Sequence, residues 1–183
     1  MNRVGRLLAC FSVFSLLAAA LPLLAPAPAL AHSGHAGPVI TFLDEREALK
    51  GMLPDGAKIT RRKQDLDGTV HTYFLARSGD GGPVAGAAMT RTVKVEHGEV
   101  SVAVGVDADG NVTQAAVLSS HRKYVPQVTA EAGKGVIDTL SGVSVAELAK
   151  RAAASGGETG RAVLSALHEM ARALVALSAA AGQ

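Results

Sequence analysis

The chain has 183 residues, enough for one domain with a modest core behind a leader segment. Its formal net charge is +2, and 48% of its residues are hydrophobic while 3% are aromatic. Arg3 and Arg6 supply the whole excess of charge: without them the Lys and Arg equal the 16 Asp and Glu, so no basic surface for nucleic acid follows, and the single Cys excludes a disulfide within the chain.

In chain order, residues 1–31 read as a cleaved secretory signal peptide. Arg3 and Arg6 form a basic start, residues 7–24 a mostly apolar run, and Ala29-Leu30-Ala31 a small-x-small cleavage site. A retained anchor is the alternative, disfavoured by Pro22, Pro26 and Pro28. The protein is therefore expected to be periplasmic or secreted. Cleavage also removes Cys10, and with it thiolate chemistry. Residues 32–42 are expected to be a flexible lead-in. His32 and His35 would lie at its start, where two imidazoles and the new α-amine have the nitrogen chemistry of a Cu(II) or Zn(II) site; a solvated tail is the plainer alternative.

From residue 43 the pattern is that of a folded domain, expected to run to 183. Leu43, Leu49, Met52 and Leu53 predict a short helix over 43–53, ended by Pro54-Asp55-Gly56. Ala57–Asp65 and Val70–Arg77 flank an Asp-Gly turn and predict a hairpin. Arg61-Arg62-Lys63 reads as a charged strand face or edge. Residues 84–96 continue extended. Val100, Val102, Val104 and Val106 alternate with small residues, the period-two signature of a strand, and Asp107–Asn111 turns the chain into a partner strand over 112–119. After residue 120 the composition changes. Residues 121–134 read as loop or irregular helix, and 143–154 and 159–180 as Ala-rich helices, the second with a buried face through Val163, Leu167, Met170, Leu174 and Leu177. Strands first and helices last predict an α+β domain, an antiparallel sheet packed against C-terminal helices.

One pattern points to chemistry. Residues 138–145 read Asp-Thr-Leu-Ser-Gly-Val-Ser-Val, and 159–163 read Thr-Gly-Arg-Ala-Val. Joined without 146–158, they resemble the S-G-A-T-x-T-[SA]-x-A-V signature of the FMN-binding domain family, the flavin domain of membrane electron-transfer complexes and small periplasmic flavoproteins. Three further features are similar to that family: the strand–turn–strand over 104–118, the Ser119-Ser120-His121 cluster, and Tyr124-Val125-Pro126. Ser141 and Gly142 stand just before a predicted helix, where free N–H groups and the helix dipole attract phosphate. Val143 and Ser144 replace the family's Ala and first Thr. Read without a gap, the acceptor position falls on Ala146, which has no hydroxyl; with 146–158 as an insertion it falls on Thr159.

The resemblance implies a periplasmic FMN-binding electron-transfer protein, an electron carrier rather than a stand-alone enzyme. Ser141, Gly142 and Ser144 would hold the phosphate, and Thr159 would carry it as a phosphoester. Asp138 and Tyr124 would lie near the ring or ribityl chain. The implied partners are a redox protein of the cell envelope and, for covalent FMN, a flavin transferase. The residues also admit a plainer reading. Ser141 serves as a helix cap, Thr159 caps a second helix after a Ser155-Gly156-Gly157 linker, and the chain is a cofactor-free accessory or metal-binding module that keeps only the fold. His168-Glu169 does not complete a zinc-protease motif, because position 172 is Arg.

Overall fold

The computed structural model describes residues 38–95, 98–126, 129 and 135–182. The predicted signal peptide, His32, His35 and the turn at His97 lie outside the described residues. Within them, six strands form one antiparallel sheet: β1 (Val39–Thr41), β2 (Lys58–Leu66), β3 (Thr69–Arg77), β4 (Val84–Val95), β5 (Gly98–Asp107) and β6 (Val112–His121). Their order is β1-β6-β5-β4-β3-β2, a meander from β2 to β6 with β1 added beside β6. With them pack the helices α1 (Glu45–Met52), α2 (Val145–Ala154) and α3 (Glu158–Ala181). The result is the expected α+β domain with the sheet packed against the C-terminal helices.

Alternation along the strands divides the sheet into two unlike faces. One carries the larger apolar side chains, among them Tyr73, Leu75, Met89, Val100, Val102, Val104, Val106 and Val117. The stripe on α3, through Val163, Leu167, Met170, Leu174 and Leu177, closes over it and is fully buried. The opposite face is paved with small residues, one from each of four adjacent strands: Ala76, Ala88, Ala103 and Ala116. This flat seat receives α1 through Ala48, Leu49, Met52 and Leu53. Gly105 permits the closest approach. A Cβ there would stand 2.6 Å from Met52 Cβ and 2.6 Å from Thr113 Oγ1. Asp44 caps α1, its carboxylate accepting from the Arg46 and Glu47 N–H groups at 2.9 and 3.2 Å.

Two expectations are corrected. The lead-in over 32–42 is not wholly flexible, because Val39–Thr41 pairs with Ser119–His121 as the sheet's edge strand. A strand of three residues is too short to show a period, so only its β-branched composition could have marked it. The hairpin strands also run further than read, to Leu66 and from Thr69. Asp67 and Gly68 alone make the turn, at φ 53° and 79°, the type I′ geometry that suits strand twist.

Candidate functional site

The segment after β6 does structural work before any other. It returns antiparallel along the outer edge of β6, starting where β1 stops. Val117 N–H donates to Gly135 O and Ile137 N–H to Ala115 O, at 2.9 and 2.8 Å. After a 3-10 turn at Asp138–Leu140, Gly142 N–H donates to Val112 O and Val112 N–H to Val143 O, at 2.8 and 2.9 Å. An edge that would otherwise show unpaired backbone groups is thereby sealed.

The predicted phosphate-binding groups are the groups making these bonds. The Ser141 hydroxyl donates to Thr113 O at 3.0 Å, and its N–H to Asp138 O at 3.1 Å. Gly142, at φ 74°, is the residue that lets the chain turn; its surroundings are open, but its N–H is spent on β6. Ser144 is the N-cap of α2, its hydroxyl accepting from Glu147 N–H at 3.2 Å. It is Ser144, and not Ser141, that caps the helix. Asp138 is exposed in the 3-10 turn.

Residues 146–158 are mostly helix. From Ser144, bridged to Asn111 at one end of the sheet, the ten residues of α2 carry the chain about 15 Å away. The chain then reverses at Ser155–Gly157 and begins α3. Thr159 therefore does not come back beside Val145. It lies at the opposite end, in a cavity of about 190 Å³ shared with Lys94, Val95, Tyr124, Glu158 and Ala162. Nor does Thr159 cap α3: Gly157 occupies the N-cap position and Thr159 is buried, 7% exposed, in the first turn. Of the six residues read as cofactor-binding, Ser141, Gly142 and Ser144 stay together near Asp138, while Tyr124 and Thr159 form a second, separate group.

The Tyr124 end has its own polar cluster. His121 Nδ1 accepts from Lys123 N–H at 3.3 Å, so Nε2 carries the proton in the neutral ring; that atom is buried without a hydrogen-bond partner. The His121 and Tyr124 rings meet edge to face at 6.2 Å, and Lys123 Nζ lies 5.8 Å from the Tyr124 centroid. Lys94 and Val95 escaped the sequence reading because nothing local marks the end of a long strand as a neighbour of residue 159.

A larger cleft lies elsewhere, on the small-residue face between α1 and the β2–β3 hairpin. It measures about 730 Å³, with Leu49, Leu53, Ile59 and Phe74 on its walls and Asp44, Glu45, Arg46 and Lys50 at its rim. The two rim carboxylates are engaged: Asp44 caps α1, and Glu45 accepts from Thr90 Oγ1 at 3.0 Å. Among the described residues no group of three or more His, Cys, Asp and Glu could hold a metal ion. No family model, curated protein or solved structure matches the chain.

Proposed function

We propose that the chain is a cofactor-free accessory module of the cell envelope, acting through its surface. The observation that supports this reading is the use made of the Ser-Gly turn. Gly142 N–H, the Ser141 hydroxyl and the Ser144 hydroxyl all serve the sheet edge or the α2 cap. A phosphate taking the Gly142 N–H and the Ser141 O–H would have to break their bonds to β6, each with a net value of about 1 kcal/mol. It would also sit a helix length from Thr159. The residues at hand thus do not fit a single FMN phosphate site. The envelope location rests on the signal-peptide pattern at residues 1–31.

A second reading draws on the other group of residues. Tyr124 and Thr159 share one cavity with Lys94 at the start of the 24-residue α3, where the helix dipole favours an anion. An electron carrier with FMN esterified to Thr159 would use that end alone, with an envelope redox partner and a flavin transferase. The cavity's 190 Å³ lies below the roughly 300–1,000 Å³ usual for small-molecule sites, so most of the flavin would stand outside it.

The visible spectrum and intact mass of protein secreted by a host with flavin transferase separate the two. A colourless protein at the mass of the unmodified mature chain is the expected result. Flavin bands with the mass of one added FMN, lost in Thr159→Ala, would establish the carrier in its place.

A further inference from the structure

The two edges of the sheet are finished differently. One side ends in the three-residue β1 and the 135–144 segment, both laid along β6, whereas the other ends in the nine-residue β2, with no further strand beside it among the described residues. β2 is also the most basic strand. Arg61, Arg62 and Lys63 are exposed and form no ion pair with any described residue. Charges on an edge ordinarily discourage aggregation. They also define what the edge would accept.

The direction of the free backbone groups follows from the hairpin. Leu66 and Thr69 flank a two-residue turn and form a hydrogen-bonded pair; antiparallel ladders then alternate. Thr60, Arg62 and Gln64 bond to β3, while Ile59, Arg61 and Lys63 turn N–H and C=O outward. The side chains of these three project on the α1 side. Ile59, 48% exposed, reaches the wall of the 730 Å³ cleft beside Phe74; the cleft's rim carries two cations, Arg46 and Lys50, and two carboxylates, Asp44 and Glu45, so the positive charge is that of β2 itself.

We propose that the β2 edge takes up an extended acidic segment of a partner protein as a seventh, antiparallel strand. Main-chain bonds to Ile59, Arg61 and Lys63 would give affinity, and the side chains would give selectivity. Counted along the partner, the residues opposite Lys63, Arg62 and Arg61 are acidic, the residue opposite Thr60 is free, and the residue opposite Ile59 is a large apolar one that enters the cleft. A second copy of this chain is a poor occupant, because pairing centred on the basic run sets Arg61 against Lys63 and Arg62 against itself. The inference gives the accessory module a partner, yet it stands on the edge strand alone. A yellow protein would overturn the reading above and leave this one standing.

The test is a titration of the isotope-labelled protein, as secreted, with a capped peptide containing Glu-Glu-Glu-Thr-Leu and with its isomer Glu-Leu-Glu-Thr-Glu. Amide shifts at Ile59, Arg61 and Lys63 are expected, with the first peptide binding more tightly and binding weakening as salt rises. Lys63→Pro deletes one outward N–H and leaves the β3 ladder intact, so it should weaken binding about tenfold. Arg61→Glu, which changes no backbone group, should do the same. No shifts, equal affinity for the isomer, shifts spread over other basic residues, or full binding by both variants would each overturn the proposal. So would a peptide-free dimer in sedimentation that Lys63→Pro dissociates, which would make a second copy the occupant.

Discussion

Ser144, Gly142 and Thr159 carry the contest between scaffold and cofactor at the scale of single residues. If Ser144 is a cap, Ser144→Ala should cost about 1 kcal/mol in chemical denaturation, the usual loss for an N-cap hydroxyl. Gly142 has open space around it, so Gly142→Ala meets no side chain and the loss is that of the backbone alone. A φ of 74° in a residue with a Cβ costs about 1–2 kcal/mol, and unfolding of the variant should register that amount. Both variants should lose stability whether or not FMN is supplied. Protection of the wild type by FMN, absent in these variants, would instead make the turn a ligand site.

At the scale of elements, the fold depends on how each helix meets its face of the sheet. α1 rests on alanines and on the bare backbone of Gly105. Gly105→Ala drives a methyl against Met52 and Thr113, so α1 must lift, at a cost of about 1–3 kcal/mol in denaturant unfolding. Exchange of the α1 amides should rise more than that of α3. The α3 stripe is the deeper contact. Leu174→Ala would leave a cavity at a fully buried position and should cost about 2–5 kcal/mol. The end of α3 is tied back to the sheet by Arg77, whose guanidinium donates to Ala181 O at 2.5 Å and Gly82 O at 2.7 Å. That bond occupies a carbonyl that the helix itself cannot satisfy.

For the whole molecule, the arrangement gives one sealed edge, one open basic edge, and a small-residue face that α1 only partly covers. Val70, 64% exposed, shares that face with Ile59 but is separated from the cleft by Arg61, Lys63 and Thr72. Residues 32–183 should be what a secreting host releases. Mass spectrometry of the N-terminus is expected to find His32 first, and a chain beginning at Met1 would replace the secreted form with an anchored one.

The sequence by itself determined the elements whose reasons are local. The valine alternation of β5 made a strand, the Asp-Gly turn joined β2 to β3, the i, i+3, i+4 stripe made α3 a core helix, and Arg61-Arg62-Lys63 marked a charged strand face or edge. Periodicity and turn chemistry act between near neighbours, so a string of residues carries them in full. The tertiary structure alone decided where distant segments meet. It placed Val39–Thr41 in the sheet, laid 135–144 along β6, and ran the predicted 143–154 helix away from Ser144. The motif halves that join so readily on paper were thereby set a helix length apart, with Thr159 beside Tyr124 and Lys94 instead of Ser144. The physical reason is that an exposed sheet edge and a buried apolar stripe each demand a partner. Which segment supplies it depends on long-range burial and backbone hydrogen bonding, which no short motif encodes.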